Sequence, residues 1–372
     1  MKIKLKKLVY TAGASVVGKK SPLATQRSAG EHQGLMRLLQ KENTQDFCIA
    51  TFDKQAQYIH SQAVNEHTLF RLASITKWVV GILVMRLQEA GVLRVEEDIS
   101  IYLGSIRNPQ FPNTPIQIAH LLSHSSGIID SPAYFQNLQN PLPYQEVLAF
   151  AEFEAGTKFL YSNFAAGLLE IIVEKATGKS LETLLQEYIF APLQIQGTLF
   201  PTIANAVPNV YRVFPKQSQA NFSVDASSAQ KHSAYRALAL EQCYLKASGA
   251  LCMSAYGLLK LLQTVVEDAN EGKSILLSQT SIAQMQSARV VYPKKERHLE
   301  HGLATLIVKD SRIYKGTLYG HQGFAYGAVN AAFYDVQAQK AFVFLNAGTR
   351  EYRNGHFSHV TEKVLRYFYG YC

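Results

Sequence analysis

A chain of 372 residues, 47% hydrophobic and 17% charged, can bury a large core and is too evenly mixed for a disordered or fibrous protein. Its formal net charge is +9, but Lys2, Lys4, Lys6, Lys7, Lys19 and Lys20 supply six of those charges. What remains on the body, with no aromatic-interleaved basic patch and no run as long as a membrane span, argues against a nucleic-acid partner and against a transmembrane span.

In chain order, residues 1–30 read as a basic N-terminal segment that is poorly ordered. Lys-rich residues 2–7 and the mildly apolar stretch from Leu8 to Gly18 imitate the first two regions of a signal peptide. Thr11, Gly13 and Ser15 dilute that stretch, and Lys19-Lys20 follows without a cleavage site. Cys48, Cys243, Cys252 and Cys372 show neither metal-ligand spacing nor a disulfide framework. Both features favour the cytoplasm over a secreted or cell-surface location.

Alternating hydrophobicity predicts strands within 46–60 and 319–346, and helical periodicity predicts helices over 75–91, 164–177, 181–190 and 254–267. Gly91 and Gly178 suit helix C-caps and Ser254 an N-cap. Lys294, Lys295 and Arg297 sit with Glu296 in a polar, solvated loop. No linker or repeat interrupts residues 45–372, and one catalytic domain is expected over 31–372. Its α/β part would come from both ends of the chain, about 31–76 and 245–372, around a largely helical part at about 77–244.

Within this frame, Ser74 stands three residues before Lys77 at the start of an apolar helix, Trp78 to Leu87. Residues at i and i+3 share a helix face about 5–6 Å apart, so the lysine can reach the hydroxyl. Burial favours a neutral lysine, which can act as a base, and a helix start offers backbone N–H groups to an anion. Downstream lie Tyr161-Ser162-Asn163, before a helical stretch, and His321-Gln322-Gly323, inside a strand-like segment. Strand alternation puts His321 and Gly323 on one face, where a missing Cβ would let substrate approach the backbone. His120 and His124 have an i, i+4 spacing that zinc sites use, but no third ligand is evident, and no metal is expected.

These three motifs, in this order, resemble the serine penicillin-recognising superfamily, whose pattern is Ser-x-x-Lys, Tyr-x-Asn, Lys/His-x-Gly. The match is to the branch holding class C β-lactamases, D-alanyl-D-alanine carboxypeptidases, D-aminopeptidases and family VIII carboxylesterases. Thr68–Asp98, Ile116–Ile128, Gly156–Phe200, Ser248–Leu262 and Gly302–Asn346 resemble successive blocks of the family. The resemblance implies a β-lactamase/transpeptidase-like fold: an antiparallel sheet flanked by helices, with a largely helical insertion. It implies Ser74 as nucleophile and Lys77 with Tyr161 as the proton path. Asn163, His321, Gly323 and Phe324 would then bind substrate, with the backbone N–H groups of Ser74 and Phe324 as oxyanion hole. One departure is Ala155-Gly156, where the family commonly has Pro-Gly.

Members that bind a free carboxylate commonly carry a hydroxyl within or just after the third motif, where this chain has Gln322 and Phe324. The expectation is therefore a serine hydrolase that forms an acyl-enzyme on a small ester or amide, with carboxylesterase favoured and no cofactor. D-alanyl-D-alanine carboxypeptidase, D-aminopeptidase or β-lactamase activity is the alternative. A catalytically weak binding module is disfavoured by the intact Ser74, Lys77, Tyr161 and Asn163. The partner is a small-molecule or peptide substrate, and no residue pattern speaks to oligomeric state.

Overall fold

Strict alternation along the strands sorts the core into two layers, one on each face of a sheet. The computed structural model describes residues 32–201, 233–292, 299–325, 327–350, 353–354 and 356–370. The N-terminal segment expected at 1–30, the loop of Lys294, Lys295 and Arg297, and Cys372 lie outside the described residues.

The sheet joins β1 (Gln45–Asp53) and β2 (Gln55–His60) to six strands from the C-terminal half. These are β6 (Val290–Val291), β7 (Leu299–His301), β8 (Leu306–Val308), β9 (Leu318–Ala325), β10 (Ala328–Asp335) and β11 (Lys340–Gly348). Their order is β2-β1-β11-β10-β9-β8-β7-β6, antiparallel throughout. Phe47 and Ile49 of β1, Phe333 of β10, and Phe342 and Phe344 of β11 meet α1 (Gln33–Lys41) and α8 (His359–Tyr369) on one face. Cys48, Ala50, Ala332, Val343 and Leu345 point the other way, into a core with the remaining helices. A two-residue period with both faces apolar is what a sheet covered on both sides requires.

On that second face lie α2 (Ile75–Glu89) and α6 (Ala255–Glu271). Twelve of the residues of α2 are buried, from Ile75 to Leu87, so packing overrides the weak helix propensity of Val79, Val80, Ile82 and Val84. Ser254 caps α6 by accepting from the Gly257 N–H, as expected. A small second sheet, β3 (Leu69–Arg71), β5 (Cys252–Ser254) and β4 (Gly197–Thr198), pairs the segment before α2 with the segment before α6. Leu72 N–H donates to Leu251 C=O at 2.8 Å and Arg71 Nε to Gly249 C=O at 3.0 Å, drawing residues 249–251 against the start of α2.

Between these stand the shorter α3 (Ile118–Leu122), α4 (Asn163–Thr177) and α5 (Leu181–Leu185). Ser162 caps α4 through Ala165 N–H, and Gly178 ends it at φ 70°. The helix predicted over 181–190 gives way after Leu185 to a π-helical stretch, Gln186–Phe190, just before Pro192, which has no N–H to continue an α-helical ladder. The strand signal over 46–60 is a hairpin turning at Lys54 (φ 68°), and that over 319–346 is three strands. Strands β6 to β8 are too short to show a period and were not expected. Among the described residues, no helix is long and apolar enough to cross a membrane.

Helix α4 also docks the loop that approaches α2. Glu170 is buried and accepts from Lys246 N–H (2.9 Å), Ala247 N–H (3.2 Å) and the Tyr235 hydroxyl (3.1 Å). Burial raises its carboxyl to about 8 against those bonds. One turn earlier, a Cβ on Gly167 would lie 1.9 Å from the Tyr244 carbonyl oxygen, so the backbones touch. Gly167→Ala is expected to cost about 1–3 kcal/mol as overpacking against backbone. Urea titration should show a lower midpoint, and an unchanged midpoint would show that α4 is free to shift.

Candidate active site

The turn into α2 presents Ser74. Ala73 before it has φ 51°, a left-handed conformation that costs a β-carbon-bearing residue about 1–3 kcal/mol. The surrounding bonds hold it there: Ile75 and Thr76 N–H turn back to the Leu72 and Ala73 carbonyls, and Asn330 Nδ2 on β10 donates to the Arg71 carbonyl at 2.8 Å. Ser74 is half-buried, and its Oγ accepts from the Tyr161 hydroxyl at 2.7 Å. Lys77 Nζ lies 3.2 Å from the same oxygen.

Lys77 is 3% exposed. Its Nζ donates to Asn163 Oδ1 at 2.9 Å and to the Ser248 carbonyl at 2.5 Å. An amine has tetrahedral directions, so with two N–H bonds committed the remaining direction faces Ser74 Oγ. In the neutral amine that direction can be the lone pair. Burial lowers Lys77 to about 7, with Asp130 pulling the other way. Near neutral pH, a substantial fraction is therefore unprotonated. Its Nζ also lies 4.9 Å from the Tyr161 ring centroid.

Asp130 is the organiser that sequence reasoning missed. Its two carboxylate oxygens accept from Ser162 Oγ (2.9 Å), Asn163 Nδ2 (2.9 Å) and Phe164 N–H (2.8 Å). By engaging Nδ2 it turns Oδ1 of Asn163 toward Lys77. The only sequence signal was a carboxylate after the apolar pair Ile128-Ile129, and its partners are more than thirty residues away. The Ser248 carbonyl is also a partner of Lys77, a role that no residue pattern announced.

On the third motif, Gly323 serves a contact that strand alternation did not reveal. A Cβ there would sit 2.1 Å from the Leu72 carbonyl oxygen and 3.1 Å from Ala73 Cβ. The glycine lets β9 lie against the chain's own backbone just before Ser74. Gln322 points elsewhere: its Oε1 accepts from Ser358 N–H (2.9 Å) and its Nε2 donates to the His356 carbonyl (3.2 Å). It thus holds the hairpin of β12 (Arg353–Asn354) and β13 (Phe357–Ser358). That hairpin brings the Arg353 guanidinium 3.6 Å from the ring centroid of half-buried Phe324. Among the described residues β8 pairs with β9 only through Leu318–Gly320, so the β9 edge beyond Gly320 has no strand partner there.

His321 is buried and donates from Nδ1 to its neighbour's carbonyl, Gln322, at 2.5 Å. Burial, His301 and Lys77 lower it to about 3, so it is uncharged. His120 and His124 do not converge: His120 Nδ1 accepts from Gln117 N–H and caps its own helix. His124 instead turns inward, 4.2 Å from the Tyr161 ring centroid, and joins His301 and His321.

The Lys77 titration can be read directly. In protein labelled with 13C at lysine Cε, the Lys77 resonance is expected to shift with a midpoint near pH 7, far below the surface lysines. Asp130→Asn removes the charge that raises it, so the midpoint should fall. A midpoint near the ordinary lysine value of about 10.4 would show that burial does not control it.

The description Beta-lactamase belongs to the family model that matches residues 50–360. Penicillin-binding protein 4* of Bacillus subtilis is 28% identical over 155 residues, covering 38% of this chain and 33% of that protein. The chain thus spans about a third of the length of the first curated relatives it matches. Among solved structures, the octameric penicillin-binding protein homologue from Pyrococcus abyssi superposes with a TM-score of 0.73 at 19% identity, covering 93% of this chain and 78% of that one. EstCE1, a hydrolase with promiscuous acyltransferase activity, gives 0.69 at 20% identity, covering 91% and 98%. At such identities the superpositions speak for the fold. The family model spans most of the chain, which therefore belongs to the Beta-lactamase family.

Proposed function

We propose that the protein is a serine hydrolase that works through an acyl-enzyme on Ser74. The observation that carries this reading is Lys77 Nζ, fixed by two neutral acceptors with its remaining direction on Ser74 Oγ, while the Tyr161 hydroxyl meets the same oxygen. Ser74 Oγ attacks the carbonyl carbon, and its proton passes to the neutral Lys77. Tyr161 shares that proton path and returns a proton to the leaving group. Backbone N–H groups of Ser74 and Phe324 hold the oxyanion. Water then attacks the acyl carbonyl, Ser74 recovers its proton, and the acid is released.

A fluorophosphonate probe should add one label per chain, located to Ser74 by peptide mapping and absent in Ser74→Ala. A label surviving that change would overturn the assignment. Lys77→Ala should reduce kcat/KM by about 10²–10⁴-fold. In the wild type, kcat/KM should fall as pH drops below about 7, where Lys77 takes up a proton.

For substrate class we favour a carboxylesterase acting on uncharged acyl groups. Gln322 is committed to the hairpin, Phe324 offers an aromatic ring, and His321 is neutral, so none of the three supplies a charge for a substrate carboxylate. Arg353 beside Phe324 favours a second reading, a D-alanyl-D-alanine carboxypeptidase or D-aminopeptidase, because a guanidinium can bind a carboxylate in bidentate fashion. Comparison of kcat/KM decides: nitrophenyl butyrate should exceed a D-alanyl-D-alanine peptide, a D-amino-acid amide and a chromogenic cephalosporin after correction for intrinsic reactivity. A peptide preference that collapses in Arg353→Ala would establish the second reading instead.

A further inference from the structure

Three histidines from distant parts of the chain form a buried cluster beside this site. His124 follows α3 at φ 54°, His301 ends β7, and His321 lies on β9. They are 2%, 0% and 6% exposed. One ring nitrogen from each lies within 4.8 Å of the others. The rings meet edge to face, His301 being 5.1 Å from His124 and 6.0 Å from His321 by centroid.

The hydrogen bonds fix which nitrogens are available. His301 Nδ1 lies 2.9 Å from the Gly302 carbonyl, and His321 Nδ1 lies 2.5 Å from the Gln322 carbonyl. A carbonyl only accepts, so both Nδ1 atoms carry the proton and both Nε2 atoms carry a lone pair. In each ring a backbone acceptor thus sets the tautomer that exposes Nε2, the arrangement typical of metal-bound imidazole. On His124, Nδ1 accepts from the Ser162 N–H at 3.4 Å, which leaves the proton of the neutral ring on Nε2, so ion binding by this ring requires that long bond to break. Among the described residues, the buried His301 Nε2 has no hydrogen-bond partner at all. A buried acceptor left unsatisfied is destabilising, and a ligand in the cluster would relieve it.

We propose that His124, His301 and His321 bind a single divalent transition ion of the zinc class. Three imidazoles with no carboxylate or thiolate suit zinc, copper, nickel or cobalt rather than magnesium or calcium, and leave the fourth position to water. Bonds of about 2.0–2.1 Å place tetrahedral ligand atoms about 3.4 Å apart, so the widest pair must close by about 1.4 Å. His321 lies on the strand assigned to substrate, so ion and substrate would occupy adjoining space. The inference does not rest on the hydrolase reading, because its test reads binding.

The full chain, stripped with chelator, is titrated with Co²⁺ and Zn²⁺. The expected result is one Co²⁺ per chain with visible d–d absorption, no thiolate charge-transfer band, and displacement by one Zn²⁺. His301→Gln should weaken that binding at least tenfold, while His120→Gln, on the helix that precedes His124, should leave it unchanged. His124→Gln provides the same readout should His301→Gln not give folded protein by circular dichroism. Absence of stoichiometric binding, a thiolate band, or equal affinity in a folded cluster variant would overturn the proposal.

Discussion

The arrangement around Ser74 depends on how one amine is held out of water. Lys77 Nζ meets the Asn163 amide oxygen, the Ser248 carbonyl and the Ser74 hydroxyl, all of them neutral. No carboxylate touches it directly among the described residues; Asp130 contacts Asn163 instead. The distinction is quantitative. A carboxylate at about 4 Å, with an effective dielectric constant of about 20, would stabilise the ammonium by about 4 kcal/mol. That equals about three pKa units, enough to cancel most of the fall from 10.5 to about 7. Separating the carboxylate by one amide keeps the geometry of an ion pair without its proton affinity.

Holding the amine this way requires three segments to stay in register. Helix α2 supplies Lys77, α4 supplies Asn163, and the 245–248 turn supplies a carbonyl. Glu170 and the Gly167 contact bind that turn to α4, while Arg71 and Leu72 bind residues 249–251 to the start of α2. The half-buried hydroxyls of Ser74 and Tyr161 remain the accessible part of a buried network.

What was legible in the sequence was local. Ser74 and Lys77 are one helical turn apart and could be placed by periodicity, while Tyr161 and Asn163 flank a cap and were singled out by the family resemblance. The sheet was legible where strands are long enough to alternate, as in β1 and β9 to β11, and illegible in β6 to β8. Asp130, Ser248, His301 and Arg353 left no local signal, because each acts on a residue distant in sequence. Gly323 illustrates a subtler limit. A glycine on a strand face signals close approach, yet only the fold tells that the approaching group is the Leu72 carbonyl.

The histidines near Lys77 follow the same electrostatic logic as the lysine. Burial comes first in lowering His124, His301 and His321, and the positive end of Lys77 adds to it. The coupling is mutual: an imidazolium among them would push Lys77 down further, whereas a carboxylate in their place would restore its charge. A desolvated imidazole offers polar atoms there while staying neutral at pH 7. Without a bound ion, a wall of neutral nitrogens leaves the proton balance of Ser74, Lys77 and Tyr161 to burial and hydrogen bonding, and an ion held on their lone pairs would lower Lys77 further.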